Sequence, residues 1–168
     1  INNKIKPYNE EKHTGLLRHL YIRYAEITGE IMVCLVINGD TISHTDTLIE
    51  YLKEINGFKS LQLNINKDKT NVILGKKCIT LFGTDYITDI LCGLKFNISP
   101  LSFYQVNRTQ AEKLYSIAQE FAQLSPNDIL LDLYCGTGTI GLSMAHKVKK
   151  IVGVEIIPQA IENANKNA

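Results

Sequence analysis

What this sequence lacks narrows its function before any motif is considered. None of its apolar runs reaches the roughly 18 residues that a membrane span needs, so no transmembrane helix is expected. The opening stretch INNKIKPYNEEKHTG is polar and holds no apolar core, so a secretory leader is not expected either. Cysteine is scarce and scattered. Cys34, Cys78, Cys92 and Cys135 form no C-x-x-C pair, which argues against a zinc or iron–sulfur site. Free thiols in a reducing cytoplasm are the expectation instead. His19, His44 and His146 have no partners at metal-ligand spacing. Charge of one sign is missing too: 18 basic residues face 17 acidic ones, a net of +1, and composition carries no nucleic-acid footprint. Repeats and low-complexity stretches are absent.

What is present is a globular chain of 168 residues, 45% hydrophobic and 21% charged, enough for one domain or two small ones. Its style changes near residue 98. In residues 1–98, His19 to Glu26 and Ile31 to Ile37 read as strands. The run IMVCLVI is continuously apolar and predicts a central strand. Asn38-Gly39-Asp40 signals a turn. Thr47 and Glu50 have capping-box spacing before a helix with Leu48, Leu52 and Ile55 on one face, stopped at Asn56-Gly57. Leu61, Leu63 and Ile65 alternate with polar residues, as in a half-buried strand. Ile90, Cys92, Leu94, Phe96 and Ile98 repeat that alternation. This part is a small α+β domain.

Residues 99–168 read differently. Asn107 and Gln110 form a capping pair before a helix with Ala111, Leu114, Ala118, Phe121 and Ala122 on one stripe, ended by Ser125-Pro126. Asp128 to Tyr134 and Ile151 to Glu155 are apolar strands. A helix running to about His146 lies between them. Pro158 opens a last helix with Ile161, Ala164 and Ala168 inward. Strand, helix and strand predict a right-handed parallel β-α-β unit. Two strands do not complete a doubly wound sheet. The chain is therefore expected to be a piece of a longer protein, with an ill-ordered last element or an exposed edge that associates with another molecule.

Residues 136–141 read Gly-Thr-Gly-Thr-Ile-Gly between a strand and a helix, and Glu155 ends the next strand. Glycines let the backbone turn and approach a ligand, and a carboxylate there accepts bonds from a ribose diol. A nucleoside-type ligand follows. Asp132 just before the loop is poor company for a pyrophosphate but suits the ammonium of a methionine moiety. That favours S-adenosylmethionine over NAD.

Three segments carry a family resemblance. Ser102-Phe103-Tyr104-Gln105-Val106-Asn107, Asp132-Leu133-Tyr134-Cys135-Gly136-Thr137-Gly138-Thr139 and Gly153-Val154-Glu155 together resemble the RNA uracil-5-methyltransferase family. The S-F-x-Q-V-N box is the discriminating piece, because other methyltransferases share only the loop. Pro7-Tyr8-Asn9-Glu10-Glu11 and Leu17-Arg18-His19-Leu20 resemble the central domain of its ribosomal RNA branch. The resemblance covers nearly the whole chain but only the middle of a family protein. It implies an α/β architecture: the central α+β domain, then the first half of a Rossmann-like S-adenosylmethionine-dependent methyltransferase domain. It also implies methyl transfer to C5 of uridine in RNA, with 23S ribosomal RNA favoured over transfer RNA.

Residue by residue, the resemblance implies that Gln105 offers its amide to the methionine end of the cofactor. Tyr134 would line the pocket and Glu155 would hold the ribose hydroxyls. Gly136 and Gly138 would shape the loop, and Thr139 stands where some relatives carry Asn. Phe103 matches a position near the target base, with a core aromatic as the competing reading. In the family, a cysteine thiolate adds to C6 of uracil and makes C5 nucleophilic, which needs a lowered thiol pKa. That cysteine lies near an Asp-Pro-Pro motif absent from residues 1–168. No catalytic residue is therefore assigned, and the chain by itself is expected to be inactive. The rival readings are an NAD-dependent oxidoreductase fragment and a non-catalytic RNA-binding accessory module.

Overall fold

The computed structural model describes residues 5–168. Packing divides the chain into two compact units. The first runs to Ile87 without Glu26–Thr28, which group with Thr88–Ala168 in the second. The change of style read at residue 98 thus falls inside the second unit.

The first unit is a four-stranded sheet in the order β1 (Leu17–Tyr24), β2 (Ile31–Ile37), β3 (Phe58–Ile65), β4 (Lys77–Gly83). The β2–β3 pair is parallel and the outer pairs are antiparallel. β2 is the run IMVCLVI, central as its composition requires. Helix α1 (Thr45–Lys53) connects the parallel strands. Val33, Leu35, Ile37, Leu61 and Leu63 form the core with Ile49 of the helix. α1 starts earlier than the capping-box reading placed it. His44 occupies the cap in a left-handed conformation, and Glu50 accepts a bond from Lys53 Nζ at 2.8 Å instead of closing a box. Ile55 lies beyond the helix and is exposed, not on its inward face.

β3 is not half-buried. Ser60, Gln62 and Asn64 are as buried as the leucines between them. Each is spent on closing a turn. Gln62 Nε2 donates to Thr84 O at 2.9 Å and to Ser60 Oγ at 2.7 Å. Asn64 bonds both main-chain groups of Gly75, donating to its carbonyl and accepting from its N–H. Buried amides are tolerated when so satisfied.

In the second unit, β5 (Ile87–Leu91) and β6 (Leu94–Ile98) form a hairpin. Its turn is Cys92-Gly93, both with positive φ, the requirement of a tight two-residue hairpin loop. The single alternating face read across residues 90–98 is therefore broken. Ile87, Asp89, Leu91, Phe96 and Ile98 are buried, whereas Cys92 and Leu94 are exposed.

Helix α2 (Arg108–Ala122) is capped as expected, Asn107 Oδ1 accepting from Gln110 N. Its buried residues are Ala111 and Tyr115, not the Leu114–Ala118–Phe121 stripe, which is exposed. On the buried side the Tyr115 hydroxyl sits 3.2 Å from Thr139 Oγ1.

Strands β7 (Ile129–Leu133) and β8 (Lys150–Val154) are parallel, as read. Between them lie a short helix, α3 (Thr139–Ser143), and a separate 3-10 turn at Ala145–Lys147, not one helix to His146. Helix α4 (Pro158–Asn167) has Pro158 in its first turn and buries Ala160 and Asn163, while Ala168 is exposed. The unbroken apolar strands are not buried on both faces. Ile129, Leu131, Leu133, Val152 and Val154 are exposed. No helix of the described residues is long and apolar enough to cross a membrane.

This uneven burial sets unequal mutational costs. Leu63→Ala, at a core position 2% exposed, should cost about 2–5 kcal/mol. Leu131→Ala, 55% exposed, should stay within about 0.5 kcal/mol. Urea unfolding of both variants checks this, and a large loss for Leu131→Ala would contradict the exposed face.

Candidate functional site

The loop between β7 and α3 is built by positive φ values. Tyr134, Gly136 and Gly138 all adopt the left-handed conformation. Tyr134 is the costly one, because a side chain is seldom placed there. The twist turns its ring outward, 87% exposed. Gly138 caps α3, and a Cβ on it would come within 3.0 Å of Leu142. Gly141 meets a different demand. A Cβ there would come 2.9 Å from Asp132 Oδ2, so the third glycine permits α3 to sit on β7.

Glu155 follows β8 and is the hub of the site. Its Oε2 accepts from Gly136 N at 3.0 Å, and its Oε1 accepts from Ile156 N and Ile157 N at 2.8 and 2.9 Å. These backbone bonds, that from Ile157 foremost, hold its carboxyl below the ordinary glutamate range. Leu133, Tyr134, Val154, Glu155 and Ile156 border an open hollow of about 380 Å³ at the carboxyl ends of the two strands. Crevices in such sheets form at that end.

Asp132 lies on the other side of the loop. Its Oδ2 accepts from Gly141 N at 2.9 Å, and burial pushes its carboxyl pKa upward. The acid read as a partner for an ammonium is thus already engaged by α3. With Cys135, Gly138 and Ile161 it lines a second cavity of about 220 Å³. The Thr139 hydroxyl is likewise committed, to Tyr115.

Gln105 lies in the irregular segment between β6 and α2 and is half-buried; Phe103 beside it is exposed. The segment is anchored on both sides of Gln105. Tyr104 donates its hydroxyl to Asp89 Oδ2 at 3.5 Å, and burial followed by the Asp89 charge raises the Tyr104 pKa. Asn107 caps α2. Asp89, Tyr115 and Asn163 went unread in the sequence, and Tyr104 was quoted only as part of the S-F-x-Q-V-N box.

No thiol here is activated. Burial pushes Cys34 up to about 12 and raises Cys78 and Cys92 as well. Cys135 is raised by burial and then by the Asp132 and Glu155 carboxylates. Among the described residues, no group of three or more His, Cys, Asp or Glu side chains could hold a metal ion.

With parallel strands, a glycine loop capping a helix and an acid closing the next strand, the second unit is Rossmann-like, in the manner of S-adenosylmethionine-dependent methyltransferases. The family model described as tRNA (uracil-5-)-methyltransferase matches residues 10–168, and the chain belongs to that family. An uncharacterised RNA methyltransferase of Clostridium acetobutylicum is 51% identical over 165 residues, 98% of this chain. One from Halalkalibacterium halodurans is 48% identical over the same length. The chain spans 36% of the length of each of these relatives. Among solved structures, Pyrococcus abyssi tRNA (uracil-54, C5)-methyltransferase in complex with S-adenosyl-L-homocysteine superposes with a TM-score of 0.78 at 28% identity. That match covers 98% of this chain and 38% of the other.

The Glu155 bonds make a pH prediction. A carboxylate whose folded pKa is depressed adds stability that is complete above its unfolded value, ordinarily 4.5, and is lost as the pH falls through the folded value. Glu155→Gln should therefore be less stable than the parent at pH 7, and the gap should be smaller at pH 3. Denaturation midpoints at the two pH values measure it; a gap independent of pH would contradict the assignment.

Proposed function

We propose that this chain carries the cofactor-binding start of an RNA methyltransferase that transfers a methyl group from S-adenosylmethionine to C5 of a uridine. The observation that carries the reading is the meeting of Glu155 with the loop glycine Gly136 at the carboxyl ends of two parallel strands. A nucleoside laid across those ends meets the Glu155 carboxylate with its ribose, while the tight turn at Gly136 and Gly138 leaves its backbone open to the methionine half. Tyr134 lines the hollow, Thr139 starts the helix behind the loop, and Gln105 contributes its amide from the neighbouring segment. When bound, the cofactor supplies an electrophilic methyl group. The chain's own residues orient it and exclude water from its apolar side.

The nucleophile is assigned to none of the four cysteines. A thiol raised by burial and by two carboxylates, as Cys135 is, makes a poor attacking group. The chain alone is accordingly proposed to be inactive. For the RNA, we favour 23S ribosomal RNA on the Pro7–Glu11 and Leu17–Leu20 segments. The transfer RNA named for the family and for the Pyrococcus enzyme is the competing assignment.

Calorimetric titration with S-adenosylhomocysteine and with NADH tests the cofactor. Binding of the first and not the second is expected, and Glu155→Ala should weaken it at least about tenfold, the scale of lost charge-assisted bonds. Binding of NADH alone would move the chain to the oxidoreductases. In the full-length protein, Cys135→Ala should leave methyl transfer to uridine-containing RNA within about twofold of the parent, as expected of a residue outside the transition state. Abolished transfer would make Cys135 the nucleophile.

A further inference from the structure

Gln105, the glycine loop and Glu155 lie on three separate stretches of chain, and helix α4 bonds the 97–102 segment that leads into Gln105 and the glycine loop. The helix begins at Pro158, just after Ile156 and Ile157, whose N–H groups donate to Glu155 Oε1. Four residues apart on one face of its far half stand Asn163 and Asn167. Asn163, 3% exposed, donates from Nδ2 to Ser102 Oγ at 2.7 Å and to Ser99 Oγ at 3.0 Å. The two serine hydroxyls lie 2.7 Å from each other, and Ser99 N donates to Ser102 Oγ. Asn167 reaches two stretches at once. Its Oδ1 accepts from Asn97 N at 2.8 Å, and its Nδ2 donates to Thr137 O, in the middle of the glycine loop, at 3.1 Å.

We propose that Asn163 and Asn167 are positioning residues of the cofactor site. They clasp the 97–102 segment that leads into Gln105 and fix it against the glycine loop, setting where the amino-acid end of S-adenosylmethionine sits relative to its ribose. The proposal rests on the cofactor reading above.

The geometry is specific to this task. A helix packed by apolar contacts alone could slide or rotate by part of a turn. A primary amide bonded at both its oxygen and its nitrogen, as in Asn167, defines one position. The bonds are also well protected: Ser99 and Ser102 are as buried as Asn163, and Thr137 is 1% exposed. Leaving buried groups without partners is costly, so the clasp resists opening. Both asparagines act through the segments they hold: Asn163 Nδ2 and both amide atoms of Asn167 are engaged with protein groups. Their loss should therefore be felt most by the end of the ligand that the Gln105 segment meets.

The test compares two ligands on the full-length protein. S-adenosylhomocysteine has the amino-acid end; methylthioadenosine keeps the adenosine and the thioether but lacks that end. Asn167→Ala, a half-buried and milder change than Asn163→Ala, should weaken S-adenosylhomocysteine about tenfold. Methylthioadenosine should stay within about twofold. Equal weakening of both ligands, or unchanged binding of the first, overturns the proposal. Amide hydrogen exchange without any ligand provides the second measurement. Residues 97–107 and the loop around Thr137 should exchange faster in Asn167→Ala, and unchanged protection would overturn the clasp. If the parent protein fails to bind S-adenosylhomocysteine at all, the cofactor reading falls, and the exchange result alone decides whether the clasp exists.

Discussion

The second unit depends on one carboxylate. Glu155 gathers N–H groups from Gly136, Ile156 and Ile157, and so ties the turn after β7 to the start of α4. That tie acts with the bonds from Cys135 N to Val154 O and from Gly138 N to Cys135 O to hold the turn through the left-handed residues Tyr134, Gly136 and Gly138. The bond has a chemical consequence for any ligand. A carboxylate offers roughly four acceptor positions, and three N–H groups already occupy Glu155. A ribose diol arriving there must share its oxygens with the loop or displace one of the backbone donors. The binding proposed at this residue would therefore be coupled to the loop conformation.

Elsewhere the polar bonds follow the same logic. In the first unit, Gln62 and Asn64 lie under the sheet and close the turns at Thr84 and Gly75. In the second, Asn163 and the serines of the Ser99–Ser102 segment do the equivalent work. Apolar burial supplies most of the driving force in such a domain but has no direction. Directional bonds select one arrangement among several that would bury similar area, at a net gain per bond of only about 1 kcal/mol.

Long apolar signals were legible from sequence: β2 as a central strand, the β7–β8 parallel pair, the Asn107 cap, Pro158 at the start of α4, and the family itself from three short segments. The misread elements share a cause. Alternation across Cys92-Gly93 looked like one strand because periodicity does not register a reversal made by two left-handed residues. The stripe on α2 looked buried because period alone cannot say which side of a helix faces inward; here it is the side of Ala111 and Tyr115. Gln62 and Asn64 looked exposed because a polar residue between leucines normally faces water, unless a distant turn supplies its partners. Within the candidate site, the sequence singled out Glu155 and the glycines, and the structure joins Glu155 to Gly136. It read Asp132 as suited to an ammonium, and in the structure that carboxylate accepts from Gly141 N of α3.

The segment around Gln105 shows why such anchoring matters for binding. A free loop residue must be immobilised when a ligand arrives, and that ordering costs about 0.5–1.5 kcal/mol per side chain. Here folding fixes the neighbouring residues beforehand, so only the Gln105 side chain is left to order. Tyr104 on one side is held at Asp89, Asn107 on the other is fixed as the cap of α2, and Ser102 is locked beneath Asn163. Gln105 is thus carried on a backbone whose neighbours are fixed at both ends, and its amide is the part left to adjust. In the box S-F-x-Q-V-N the serine and the asparagine are anchors, and the glutamine between them is the residue proposed above to meet the cofactor.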